Sequence, residues 1–174
     1  MNLFTKIGLL SLGLLSRPVA AQIASVALDQ DPVFNQVASH RIQYPVKPAS
    51  MAVYGRFYAG FNIDEKGHIQ DLSILYPKLS TRLKKAYGFE YEILKGLKHM
   101  PPLKPSLAGS YVLPVAFCYT HYGEGANPIV PTNVVPQTLS VGDRFLLSEV
   151  KIFARSPSDS RWLAAVPHSR QIGQ

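Results

Sequence analysis

The chain has 174 residues, a net charge of +7 and hydrophobic residues at 47% of its positions, a composition that indicates a globular protein and excludes wholesale disorder. Its single cysteine, Cys118, excludes a disulfide framework and a zinc site built from four thiolates. The basic residues are dispersed and lack interleaved aromatics, which excludes a typical nucleic-acid stripe and favours anionic surfaces as partners.

Residues 1–21 have the pattern of a secretory signal peptide. Lys6 precedes the apolar run Ile7–Leu15, and residues 19–21 (Val-Ala-Ala) are the small residues that a signal peptidase reads. We expect export to the periplasm and a mature net charge of +5, because cleavage removes Lys6 and Arg17 and no acid. The alternative is an uncleaved anchor that holds the chain in the inner membrane, facing the periplasm.

The first strand is predicted after a short lead-in. Residues 22–40 predict a linker with a short helix, and the prolines at 45 and 48 predict an extended backbone before the strand. Gly55–Ile63 alternates between apolar and other residues, which predicts a half-buried strand. Its apolar face carries Phe57, Ala59, Phe61 and Ile63.

A hairpin follows the first strand. Asp64–Gly67 predicts a type I turn that Gly67 closes in the left-handed conformation. The return strand runs from His68 to Tyr76, where Ile69 and Leu72 cannot share a face in regular geometry. We therefore predict a β-bulge near Gln70 and Asp71.

One helix and a third strand complete the predicted domain. Pro77–Lys85 predicts a basic connection, and Tyr87–His99 has helical spacing that ends at Pro101 and Pro102. Tyr111–Tyr119 predicts a third apolar strand. Burying one face of three antiparallel strands under one main helix gives a small two-layer α+β domain over residues 41–122.

The remaining sequence is predicted to be peripheral. Residues 123–144 are rich in Gly, Pro, Asn and Thr without periodicity and predict a linker. Phe145–Phe153 predicts a further strand, and residues 154–174 predict a loose tail.

No catalytic or metal-binding pattern emerges from the sequence. The five histidines show no paired ligand spacing, and Cys118 with His121 lacks a second ligand pair. Neither a nucleophile elbow nor a phosphate-binding glycine loop is present. We predict a non-catalytic domain without cofactor or metal, in which Cys118 is a buried apolar side chain.

The order of these motifs resembles the C-terminal domain of TonB energy transducers. Tyr-Pro precedes a Gly-initiated aromatic strand and an Asp-x-x-Gly hairpin, a helix ends in Met-Pro, and a Lys-Pro element precedes the last strand. The resemblance covers roughly residues 41–119. Its core and motif positions are Tyr44, Pro45, Gly55, Phe57, Phe61, Ile63, Asp64, Gly67, Ile69, Leu94, Leu97, Pro101 and Pro105.

The resemblance implies a binding function. Domains of this family add an extended segment of an outer-membrane TonB-dependent transporter beside their last strand, so that main-chain hydrogen bonds supply affinity. The role relates to energy-dependent transmembrane transport. The implied edge consists of Tyr111, Val112, Leu113, Pro114, Val115, Ala116, Phe117, Cys118 and Tyr119.

The C-terminal strand suggests a further hypothesis. Ser148–Phe153 resembles the acidic and then aliphatic segments that such domains bind. We hypothesise that Phe145–Phe153 docks within the molecule on the Tyr111–Tyr119 edge, since a linker of about 20 residues gives a millimolar effective concentration. The alternative is a strand elsewhere or a loose tail.

Two other functions stay open. The chain can be a structural envelope module that dimerises through its sheet edge or binds peptidoglycan or another anionic envelope surface. It can also be a short anchored energy transducer that retains its first residues in the membrane.

Overall fold

The structure is a computed structural model that describes residues 27–120, 127–136, 142–155 and 170–172. The predicted signal peptide, His121 and most of the predicted tail lie outside the described residues. The helices are α1 (Pro32–Arg41), α2 (Val46–Ser50), α3 (Thr81–Tyr87) and α4 (Phe89–Lys98), with a 3-10 turn at Pro105–Leu107. The strands are β1 (Val53–Ile63), β2 (Ile69–Tyr76), β3 (Gly109–Thr120), β4 (Phe145–Leu146), β5 (Val150–Arg155) and β6 (Arg170–Ile172).

The strands of the described residues form one sheet. β1 pairs antiparallel with β2 and with β3, which confirms the predicted three-stranded antiparallel centre. β4 and β5 add parallel to β3 on its other side. β6 adds parallel to β1 along residues 53–55. The molecule is therefore a mixed α+β structure with a larger sheet than the sequence predicted.

The core lies between the sheet and the helices. Alternate residues of β1 and β3 point towards α4, and the facing rings of Phe57, Phe89 and Phe117 pack with centroids 4.6 to 5.9 Å apart. Tyr44 closes this cluster, since its ring meets Phe117 edge-on at 5.3 Å. Edge-to-face contacts of this kind are the favoured geometry for buried aromatic rings.

The predicted hairpin is confirmed. Gly67 has a φ of +83°, and the N–H of Asp64 donates to the carbonyl of His68 at 3.0 Å. The predicted bulge is also present, because the register shifts where Asn62 pairs with Gln70 and Gly60 pairs with Ser73. Asp71 adopts a φ of +51° at this point. The bulge brings Ile69 and Leu72 against the same core.

The helical layer is larger than predicted. α4 matches the predicted helix, but Pro77–Lys85 contains the start of α3. This helix begins after the N-cap Ser80 and is followed by the C-cap Gly88, which has a φ of +73°. The short helix predicted within residues 22–40 is present as α1, and it joins the helical layer because its Phe34 and Ala38 are buried. The expectation of one main helix is therefore wrong.

The prediction of an extended backbone at both Pro45 and Pro48 is also partly wrong. Pro45 is extended, but Pro48 lies inside α2. The N–H groups in the first turn of a helix have no carbonyl partner within the helix. A proline is therefore tolerated there, although it would disrupt the interior of a helix.

Candidate functional site

The predicted partner-binding edge, Tyr111–Tyr119, lies inside the sheet. β1 pairs along one side of β3, from Gly109 to Phe117. On the other side β4 pairs with residues 111–112, and β5 pairs with residues 115–120. All nine predicted edge residues are buried. The resemblance implied that a partner segment adds directly beside this strand, and this is wrong for the monomer, because the chain's own C-terminal segment occupies the edge.

The hypothesis that the C-terminal strand docks on this edge is confirmed. The strand runs parallel to β3 and is divided into β4 and β5, with residues 147–149 between them. The N–H of Leu147 donates to the carbonyl of Val112 at 2.9 Å, so even-numbered residues of β3 direct their main-chain groups outwards. Pro114 is such a residue and has no N–H to offer. The interruption of the docked strand lies opposite this missing donor.

The docked strand buries few of its side chains. Leu147 and Ile152 are 3% and 7% exposed, whereas Leu146 and Phe153 are 60% and 54% exposed. Main-chain pairing to β3 therefore supplies much of the attachment. A strand held in this way can be replaced by another extended segment at modest cost in side-chain contacts.

Two acidic side chains hold the interruption between β4 and β5. The carboxylate of Asp29 accepts hydrogen bonds from the N–H and the hydroxyl of Ser148 at 2.9 and 3.0 Å. Glu149 accepts from the Nε of Arg56, which lies on β1. These contacts fix the position at which the docked tail, the segment from Phe145 to Arg155 that forms β4 and β5, meets the sheet.

Asn133 connects Arg56 to the segment 127–136. Its side-chain amide exchanges two hydrogen bonds with the main chain of Arg56, at 2.9 and 3.1 Å. The guanidinium of Arg56 donates to the carbonyl of Asn133 at 2.7 Å. Arg56 thus joins β1, the predicted linker and the docked tail. Sequence patterns missed this cluster because its members are 77 and 93 residues away from Arg56.

The residues that carried the family resemblance build the core and its turns. Phe57, Phe61, Ile63 and Leu97 are buried, and Ile69 and Leu94 lie at the core margin. The remaining positions are Tyr44 and Pro45 before α2, Asp64 and Gly67 in the hairpin turn, Pro101 after α4 and Pro105 at the start of the 3-10 turn.

Packing explains why position 55 is a glycine. A Cβ at this position would lie 3.1 Å from the carbonyl oxygen of Ile172 on β6. The glycine therefore lets β6 approach β1 closely.

Cys118 is fully buried, as predicted, and burial raises the pKa of its thiol. Within the described ranges, no group of three or more His, Cys, Asp or Glu side chains has the arrangement to hold a metal ion. In the same part of the chain, no helix is long and apolar enough to cross a membrane.

No family model matches the chain, and neither a curated protein nor a solved structure was found to be similar to it.

Proposed function

We propose that this chain is a non-catalytic periplasmic domain of the TonB C-terminal type. It recognises an extended segment of an outer-membrane transporter by adding that segment as a strand beside β3. The observation that supports this function is that the same edge of β3 pairs with β5 in register over six residues. An edge that pairs with one extended segment has the main-chain groups to pair with another.

The opposite edge of the sheet is a poorer acceptor. β2 has two register shifts against β1, and Asp71 within it has a positive φ. Bulges twist an edge away from regular pairing and protect it from strand addition. β3 pairs with β1 from Gly109 to Phe117 without a shift. Regular strand geometry favours β3 as the binding edge.

Recognition at β3 requires the docked tail to leave. The tail competes at the high effective concentration of an intramolecular segment, on the order of millimolar. A transporter segment therefore binds after β5 is displaced, and the tail limits binding to partners that pair better than it does.

A reversible lock tests this exchange. Cys118 and Phe153 are register partners on adjacent strands, so their side chains project on the same face. Phe153→Cys places a second thiol beside Cys118, within the usual span of a disulfide. We expect the oxidised variant to bind a transporter amino-terminal peptide at least about tenfold more weakly than its reduced form. Isothermal titration calorimetry measures both.

Phe153→Ser is the matched control, because it loses the same ring without gaining a thiol. It should bind equally under oxidising and reducing conditions. A second peptide, copying residues 144–155, tests the edge with a strand whose register is known. Equal affinity of the oxidised and reduced lock would contradict binding at β3. Failure of both peptides to bind either form would overturn the recognition function, and a concentration-dependent dimer would then favour the structural module.

A further inference from the structure

A groove lies between β2 and the outer side of α4, away from β3. It encloses about 570 Å³, within the range of small-molecule sites. Four consecutive residues of β2, from Ile69 to Leu72, form one wall. The other wall comes from α4 and the residue after it: Tyr91, Leu94, Lys95, Lys98 and His99.

The floor of the groove is apolar and incompletely covered. Ile69, Leu72 and Leu94 pack against the core but remain partly exposed. The bulge creates this floor, since Ile69 and Leu72 share a face only because of the register shift near Asp71. No described residue covers the three side chains completely. They therefore offer an apolar surface to a ligand.

The rim of the groove is cationic. Lys95 and Lys98 are exposed, and the Nζ of Lys95 lies 5.7 Å from the centroid of the Tyr91 ring. Tyr91 is itself 64% exposed. The nearest acid of Lys95 is Glu92 at 3.8 Å, and Lys98 has no ion-pair partner among the described residues. The rim retains positive charge for a ligand.

The acidic residue in the wall does not cancel this charge. The carboxylate of Asp71 accepts a hydrogen bond from Asn62 at 2.7 Å. Asn62 lies on the face of β1 opposite the helices, because the residues on either side of it, Phe61 and Ile63, point into the core. The carboxylate is therefore turned away from α4.

We propose that this groove binds a free amphiphilic anion, an apolar chain that ends in a carboxylate. The chain lies on Ile69, Leu72 and Leu94, and the carboxylate meets Lys95 and Lys98. The groove is recessed between two elements, which favours a monomeric ligand over a flat bilayer. The carboxyl end of α4 disfavours an anion by itself, so binding depends on the two lysines.

Decanoate below its aggregation concentration is the probe, at a pH where its carboxylate is ionised. Decan-1-ol supplies the same chain without charge. We expect amide chemical shifts to change along residues 69–72 and 91–99, and decanoate to bind more tightly than decan-1-ol. The double variant Lys95→Gln/Lys98→Gln should weaken decanoate binding about fivefold and leave decan-1-ol binding unchanged.

Lys47→Gln/Lys85→Gln is the matched control, since it removes two exposed cations that lie outside the groove. It should leave decanoate binding intact. The proposal is overturned if decan-1-ol binds as tightly as decanoate, if the control variant weakens binding equally, or if the shifts map elsewhere. Binding to anionic vesicles without binding of monomeric decanoate would also overturn it. None of these results depends on strand addition at β3.

Discussion

Gly67 occupies a position in the β1–β2 turn that requires glycine. Its φ is +83°, and a Cβ there would collide with the carbonyl group of Leu103. Its carbonyl also accepts the N–H of Leu103 at 2.9 Å, so the turn and the segment after α4 are held together. The sequence predicted the left-handed turn, whereas the approach of Leu103 depends on the folded chain.

Gly67→Ala should lower the free energy of unfolding by about 3 kcal/mol, because it adds a backbone collision to the cost of a left-handed alanine. Urea unfolding measures the loss. Gly142→Ala is the control: its φ is +61°, but among the described residues no atom beyond its chain neighbours lies within 4 Å of the added Cβ. That variant should lose only about 1 kcal/mol. Equal losses would show that Leu103 can move aside freely.

At the scale of secondary-structure elements, prediction worked where the signal was local. The alternation of β1, the Asp-x-x-Gly turn and the helical stripe of α4 are each contained in about a dozen residues. The bulge followed from two apolar residues, Ile69 and Leu72, that shared no regular face. Such patterns reflect burial of one face, and the structure buries those faces.

Elements that depend on distant partners were predicted only in part. A short helix was expected within residues 22–40, but the packing of α1 against the core was not, because only Phe34 and Ala38 anchor it and they form no continuous apolar stripe in the sequence. A regular strand over Phe145–Phe153 would put Leu147 and Ile152 on opposite faces, yet both are buried. The interruption opposite Pro114 resets the alternation between them. The register of β4 and β5 against β3 determines which of their side chains are buried. That register cannot be read from the sequence of the C-terminal strand alone.

The N-cap of α1 tests whether that helix contributes to folding. One carboxylate oxygen of Asp31 accepts the N–H groups of Val33 and Phe34, each at 3.0 Å, and the residue is 5% exposed. Asp31→Ala should lower the free energy of unfolding by about 1 kcal/mol, because two helix donors lose their acceptor. Asp31→Asn keeps an acceptor oxygen and should lose much less. Equal losses in urea unfolding would contradict a capping role.

At the scale of the whole molecule, the described residues share one hydrophobic core. It includes Leu28 and Phe34 before the predicted domain, and Leu147, Ile152 and Ile172 after it. Segments predicted as linker and tail therefore contribute to the core of the domain. A tail that is both part of the core and the occupant of the β3 edge links partner binding to stability.

The buried tyrosines and Cys118 make the free energy of unfolding vary with pH in the alkaline range. Burial raises the pKa of Tyr44, with smaller contributions from the neighbouring Tyr119 and Cys118. Burial also raises the pKa of Tyr111 and of the Cys118 thiol. In the unfolded chain the two tyrosine hydroxyls and the thiol lose their protons at roughly pH 9 to 10, while the folded chain retains them. The free energy of unfolding should therefore be highest below that range and fall as pH rises through it.

Tyr44→Phe separates one contributor from the rest. The Tyr44 hydroxyl donates to the carbonyl of Val53 at 2.8 Å, so its loss should cost about 1 kcal/mol at pH 7. The variant no longer has this ionisable group, and its decline between pH 7 and 10.5 should be smaller by about 1 kcal/mol. Urea unfolding at both pH values measures the two terms. Tyr91→Phe, at a ring that is 64% exposed, is the control for the loss at pH 7 and should leave the free energy of unfolding there unchanged. An unaltered decline in Tyr44→Phe would mean that Tyr44 ionises in the folded protein as readily as in the unfolded chain.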